Sequence, residues 1–385
     1  MNHSNTNISF NDEHLEKTIV VNSTAAISGG ALTILNEFIA AIEKFSADKH
    51  FTFIFYTSVD FPDLKNPKIR IINLGRKNYF ERIFWDYFGF KSSLKNLKIL
   101  PDLIMSFQNC GVVYNKSCPQ LIYYHNSFCL IPYKWNPFKK NQRILWFYTE
   151  IYPFFVQSLI QQKTRIIVQA EWIKKAFSTK FSVPLNRINV ILPTVKKSYL
   201  DTYSNTSNQM ILFFPATSFL YKNHSLLLDM MSYLKMKDDL FYKDVKLIFT
   251  LDYSDIVSLG IEGKYKEVQE NILLMGYLNN EQMHKVYNDT KILLFPSRIE
   301  TFGLPLVEAA YKNKFILCSD QAYAHETLEG YKKVEFIDNR DHVAWAERCY
   351  THLKNMDSCS SNESDNFERP DSWFKVIDLI KEMVN

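Results

Sequence analysis

The stretch KILLFPSRIETFGLPLVEAAYKNKFILCSD runs from Lys291 to Asp320, and its reading decides the fold. KILLF (291–295) is an apolar run without polar alternation, which suits a strand buried on both faces. Pro305 stands just inside the apolar, periodic LPLVEAAY, where a helix tolerates proline because the missing N–H has no intrahelical acceptor. A second run, KFILC (314–318), restarts the strand pattern. Strand, loop, helix and strand therefore succeed one another here. Such a loop delivers the amides of Thr301–Leu304 and the positive end of a helix to one spot, which suits phosphate or sugar oxygens. Glu300 on the loop and Glu308 in the helix are expected at the carboxyl edge of the sheet, where open α/β folds bind ligands.

The same alternation spreads in both directions. TIVVN (18–22), FTFIFYT (51–57), LIMSF (103–107), LIYYH (121–125) and RIIVQ (165–169) read as strands, with a helix over 32–45. Beyond a linker near 196–208 come ILFFP (211–215), KLIFT (246–250) and NILLM (271–275). The predicted fold is α/β: two doubly wound, Rossmann-like domains with a cleft between them. The expected boundaries are 1–197 for the first domain and 198–370 for the second. The polar stretch 356–371 reads as a loop. A last helix over 371–385, started by Asp371 or Ser372, presents Trp373, Val376, Ile377, Ile380 and Met383 on one face and is expected to cross back onto the first domain.

A chain of 385 residues, 46% hydrophobic and 22% charged, suits two globular domains and excludes fibrous or disordered classes. The six cysteines form no CxxC pair, so a reducing compartment is expected. The polar start, MNHSNTNISFNDEHLEK, lacks the apolar core of a signal peptide, and no eighteen-residue apolar run occurs. A cytoplasmic protein is the expectation. Residues 1–195 carry 23 Lys and Arg against 13 Asp and Glu, whereas the rest of the chain is net acidic. The first half attracts anions.

In its residues, 291–320 resembles glycosyltransferase family four, the retaining GT-B glycosyltransferases (glycosyl transferases group 1) of bacterial surface-polysaccharide type. The family pattern Pro-Ser-x-x-Glu-x-Phe-Gly-Leu-Pro-x-x-Glu is met without a gap by Pro296, Ser297, Glu300, Phe302, Gly303, Leu304, Pro305 and Glu308. The resemblance implies transfer of a sugar from a nucleotide diphosphate-sugar with retention. Glu300 would bind the sugar and stabilise its developing charge, and Glu308 the ribose diol. Ser297, Thr301, Phe302, Gly303 and Leu304 would complete the donor site. FFPATSFLYKNHSLLLDM (213–230) resembles the family's diphosphate-binding segment, with Lys222 as the cation and Asn223 and His224 after it. Relatives often carry an arginine four or five residues upstream, where Ser218 or Thr217 stands here. A hydroxyl, Lys222 alone or another cation completes the clamp.

Other positions follow the resemblance more loosely. His125 would contact the donor sugar, and Gln169 ends a strand as a related polar residue does. Gly276-Tyr277-Leu278 stands where such enzymes hold the base. Gly29 and Gly30 resemble the acceptor-side loop, although any tight turn uses such a pair. A lone His at a strand end is equally a structural residue. No Asp-x-Asp occurs, and no metal or resident cofactor is expected, the nucleotide-sugar being a substrate.

Tyr79–Lys91 (YFERIFWDYFGFK) and Pro132–Phe155 interleave aromatic and basic residues. Two readings stand: rings packed in a core, or a peripheral contact with an anionic membrane and a polyprenyl-diphosphate-linked glycan acceptor. O-antigen, capsule or lipopolysaccharide assembly is what the family likeness implies. A GT-B epimerase or phosphorylase keeps the fold but changes the reaction. A non-catalytic basic binding protein is a further alternative, although no nucleic-acid motif is present and none is expected as partner. An inactive scaffold is disfavoured because Glu300, Glu308 and Lys222 are all retained.

Overall fold

The computed structural model describes residues 16–45, 51–61, 64–193, 209–355, 367 and 372–384. The linker expected near 196–208 lies wholly outside these, as does nearly all of 356–371. The first sheet comprises β1 (Lys17–Asn22), β2 (Phe51–Thr57), β3 (Ile69–Asn73), β4 (Leu103–Ser106), β5 (Gln120–Tyr124), β6 (Thr164–Val168) and β7 (Ile188–Val190). Its order is β3-β2-β1-β4-β5-β6-β7. The second comprises β8 (Met210–Phe214), β9 (Val245–Phe249), β10 (Ile272–Leu274), β11 (Ile292–Phe295), β12 (Phe315–Ser319) and β13 (Val334–Ile337). These run parallel in the order β10-β9-β8-β11-β12-β13. Each sheet reverses its winding once, between β1 and β4 and between β8 and β11. Those reversals are where a doubly wound sheet opens a crevice for a ligand.

Burial explains why these segments are strands. β4 and β5 are buried along their whole length, as is β11, so each must pair on both edges and be covered on both faces. By contacts the chain divides into two compact units that do not follow chain order. The first holds Met1–Tyr124, Ser158–Ile166 and Trp373–Asn385; the second holds His125–Gln157 and Ile167–Ser372. In the first unit the last helix, Trp373–Val384, lies against the Gly29–Phe45 helix and β4. Trp373 meets Phe38 at 5.3 Å and stacks on Tyr123 at 6.0 Å between ring centres. Trp373, Val376, Leu379 and Ile380 are buried, each contributing roughly 1.5–3 kcal/mol of hydrophobic stabilisation.

The aromatic stretches divide between core and surface. A helix over Tyr79–Phe84, started by an Asn78–Glu81 capping box, continues through a wider π turn, Trp85–Gly89, into Phe90–Asn96. Trp85, Phe90 and Leu94 enter a core cluster with Val20 and Tyr56. Gly89 makes room for the indole, since a Cβ there would approach Trp85 to 2.6 Å. Phe80, Phe84 and Phe88 point away, 82%, 63% and 62% exposed. In the second stretch Trp135 and Leu145 are buried with Ile299, while Phe138 and Phe154 are exposed. No helix among the described residues is long and apolar enough to cross a membrane.

Asp86, on the π turn, is buried at the carboxyl end of β1. Asn22 Nδ2 donates to its Oδ1 at 2.8 Å, and the Cys110 thiol faces its Oδ2 at 3.5 Å. Burial outweighs both bonds and pushes the carboxyl up to about 7. The folded protein thus keeps a proton that the unfolded chain releases near its ordinary value of 3.8. The resulting stability is fully present below about pH 4 and is lost as pH rises through 7. Urea midpoints of the wild type should therefore fall between pH 5 and pH 8, by a free energy on the order of 2–3 kcal/mol. Asp86→Asn should flatten that slope, and parallel profiles for the two proteins would dismiss the buried acid as its source.

Candidate functional site

The loop after β11 is held from several sides. Ser297 is fully buried, and its carbonyl accepts from the Tyr323 hydroxyl at 2.7 Å. The Thr301 carbonyl accepts from Trp172 Nε1 at 3.2 Å, and the Phe302 carbonyl from the Thr327 hydroxyl. Ile299 is buried beside Trp135 and Leu145. Gly303 ends the loop in the left-handed region, φ 83°, and caps the Leu304–Tyr311 helix, whose first turn carries Pro305 and no side-chain cap. A Cβ at Gly303 would also stand 3.1 Å from Leu306 Cδ1.

The loop after β8 meets it. Leu220–Lys222 form a 3₁₀ turn, and Asn223 takes a left-handed conformation, φ 66°, before the His224–Lys237 helix. Lys222 Nζ contacts Glu300 Oε1 at 2.5 Å, and both side chains are only 14% exposed. Asn223 ties the loops together: its Nδ2 donates to the Asn339 carbonyl at 2.8 Å, and its Oδ1 accepts from Arg298 Nη2 at 2.9 Å. Burial, with the Lys222 charge nearby, pushes the His224 imidazole down to about 3. His224 is therefore neutral at physiological pH and adds no charge to Lys222. Burial and the Glu300 carboxylate together hold the hydroxyls of Tyr221 and Tyr323 protonated. Glu308 lies in the helix, where Tyr287 donates to its Oε2 at 2.7 Å.

Lys222, Asn223, Glu300 and the Thr301–Leu304 turn are thus brought together within the second unit. An ammonium and a carboxylate in contact, beside an uncapped helix start, can exchange each other for the phosphate and hydroxyls of one ligand. Ser297 and Phe302 lie buried beneath this surface rather than on it. Ser218 is half-buried and Thr217 exposed on the approach to the 3₁₀ turn. Tyr277 is 92% exposed and Leu278 buried, on a loop fastened where Gly276 N donates to the Leu251 carbonyl at 3.0 Å. His125 follows β5, half-buried, and falls in the second unit; Gln169 follows β6 and is buried. Gly29 and Gly30 belong to the first unit and open the Gly29–Phe45 helix, with nothing within 4 Å of a Cβ at either. Arg298 escaped the sequence reading although it stands inside the quoted stretch. No spacing rule marks it, and only the fold reveals its bond to Asn223.

Residues 201–364 match the family described as glycosyl transferases group 1. The match covers the second half of the chain, including Lys222, Glu300 and Glu308. A curated relative, an uncharacterized 41.2 kDa protein in the cps region of Klebsiella pneumoniae, is 21% identical over 140 residues. That match spans 33% of this chain and 37% of the relative. Among solved structures, a glycosyltransferase from Rickettsia africae ESF-5 superposes with a TM-score of 0.68 at 15% identity, covering 96% of this chain and 99% of that one. WaaG, a glycosyltransferase involved in lipopolysaccharide biosynthesis, gives 0.65 at 14% identity over 94% and 99%. Anabaena HepE, solved in complex with UDP and glucose, gives 0.65 at 13% over 95% and 98%. The chain has the GT-B fold of these neighbours, with two Rossmann-like sheets. Among its described residues no cluster of His, Cys, Asp and Glu could hold a metal ion.

The two glycine positions separate cleanly. Gly303→Ala should cost about 1–2 kcal/mol, from the left-handed backbone and the Leu306 contact. Gly30→Ala, with open space and ordinary backbone, should be neutral or slightly stabilising. Equal losses in chemical denaturation would show that the Gly303 turn carries no special constraint.

Proposed function

We propose that this protein is a glycosyltransferase that moves a sugar from a nucleotide diphosphate-sugar onto a saccharide or polyprenyl-diphosphate-linked glycan, with retention, in surface-polysaccharide assembly. The observation that carries this reading is the Lys222–Glu300 contact at the start of the Leu304–Tyr311 helix. Lys222 exchanges Glu300 for the donor diphosphate and stabilises the charge that develops on the leaving group, so no metal is assigned to that task. Glu300, released, binds the sugar hydroxyls and faces the positive charge growing at the anomeric carbon. The amides of the Gly303 turn bind phosphate oxygens. Glu308 takes the ribose diol, its carboxylate oriented by Tyr287, while the Gly276–Leu278 loop borders the base. His125 and Ser218 serve the sugar and phosphate ends, and the Gly29–Gly30 turn the acceptor. On this reading the donor domain is 198–370, and 1–197 with the last helix is the acceptor domain. HepE's complex with UDP and glucose, WaaG's part in lipopolysaccharide biosynthesis and the cps-region relative favour this pathway class.

Purified protein titrated with UDP-, GDP-, ADP- and dTDP-linked sugars should melt higher with one of them, since a ligand of the folded state stabilises it by mass action. The rise should vanish in Glu308→Ala. Glu300→Gln should fold normally yet turn over about 10²–10³-fold more slowly. No stabilisation by any donor at millimolar concentration, or full activity in Glu300→Gln, would sink the assignment.

The exposed Phe80, Phe84 and Phe88 lie one turn apart on a helix that also carries Arg82, Lys91 and Lys95. This face suits the interface of an anionic membrane at the cytoplasmic side, where a lipid-linked acceptor is presented. Vesicles containing phosphatidylglycerol should carry the protein in flotation at low salt and release it at high salt. A Phe80→Ser/Phe84→Ser double variant that floats equally well would rule out this face.

A further inference from the structure

A cavity of about 300 Å³ lies in the second unit, apart from the Lys222–Glu300 pair, Gly303 and Glu308, none of which lines it. Its walls are the 133–142 segment, the first turn of the His224–Lys237 helix, Leu259 and Ile261. The charged residues on those walls are Lys134 and Arg298, and no carboxylate accompanies them. Arg298 is fixed in place: Nη1 donates to the Tyr133 hydroxyl at 2.7 Å, Nη2 to Asn223 Oδ1 at 2.9 Å, and its backbone N to the Tyr221 carbonyl at 2.8 Å. The two side-chain partners are a phenol and an amide, and no carboxylate among the described residues forms an ion pair with Arg298. A half-buried cation of this kind is costly until an anion joins it.

Two further donors lack partners. Arg298 Nε and Trp135 Nε1 are buried with no acceptor among the described residues, and Trp135 is only 8% exposed. Buried donors are almost always satisfied, and the described residues supply no acceptor for these two. The helix start at His224 has no side-chain cap, which adds a positive end to the same wall. Beside the charge the lining turns aromatic and apolar. Tyr133 and Trp135 form an aromatic pair at 4.6 Å between centres, continued by Phe219, Leu220 and Leu259. An aromatic wall, its two rings inclined at 36°, beside a fixed guanidinium matches a sugar ring bearing one anionic group.

We infer that this cavity is a second ligand site, for a monosaccharide carrying a carboxylate or phosphate. The anion sits on Arg298 and Trp135 Nε1, and the ring lies against the aromatic pair. The site adjoins the proposed donor site at Asn223, which lines it and accepts from Arg298, but its anion-binding groups are not those assigned to the donor.

Isothermal titration of the Glu300→Gln protein tests it, with glucose 1-phosphate, glucuronate, glucose and inorganic phosphate as probes. The two acidic sugars should bind at least tenfold more tightly than glucose or phosphate. Arg298→Met should weaken them at least tenfold, and Trp135→Phe, which keeps the ring and removes the donor, several-fold. Arg298→Lys keeps the charge if the Met variant fails to fold, and should bind with intermediate affinity. Affinity unchanged in Arg298→Lys and Trp135→Phe, equal binding of phosphate alone, or no binding of either acidic sugar at 10 mM overturns the proposal.

Discussion

β8 and β11 are neighbours in the second sheet, Leu212 opposite Ile292 and Phe213 opposite Leu293, though β9 and β10 come between them in the chain. The chain winds outward from β8 through β9 to β10, then returns to β11 on the other side of β8. Because parallel strands release their loops at the same edge, this reversal brings residue 222 against residue 300. The Lys222–Glu300 contact follows from that topology, as does the bridge from Asn223 to Arg298. A slip of β11 by one residue would turn its side chains to the opposite faces and carry Glu300 away from Lys222. Everything proposed for the site therefore rests on backbone pairing several residues below it.

Strands buried on both faces were legible in the sequence because nothing polar interrupts them. FTFIFYT is a strand from Phe51 to Thr57, and KILLF, LIYYH and RIIVQ each shift by a residue or so. β3, β7 and β13 were not read, and each stands at a sheet edge; β10, the fourth edge strand, was read because ILLM is apolar throughout. An edge strand is covered less completely, so IRIIN and VEFI mix polar with apolar residues and give no continuous run. Rules based on burial fade where burial is partial.

The site was legible wherever residues lie close in sequence. Glu300, Gly303 and Glu308 sit in one motif, and their strand, turn and helix formed as read. The partner for Lys222 was not legible, because it depends on which strands are neighbours. Arg298 shows the same limit. The upstream arginine common in the family is absent here, and a different arginine stands nearby, held by Asn223 and turned toward another cavity. The aromatic stretch also needed three dimensions: its Trp85 and Phe90 are core, while Phe80, Phe84 and Phe88 are surface.

The last helix has a consequence for the order in which the molecule is made. Trp373 fills a gap between Phe38 and Tyr123, side chains synthesised long before it. A ribosome releases β1 to β5 and the whole second unit before this helix emerges. Until then Phe38 and Tyr123 present apolar surface to whatever surrounds the nascent chain. The first unit begins early yet closes last, which makes its exposed core a target for chaperones during synthesis and leaves any chain stopped before residue 373 open at that seam.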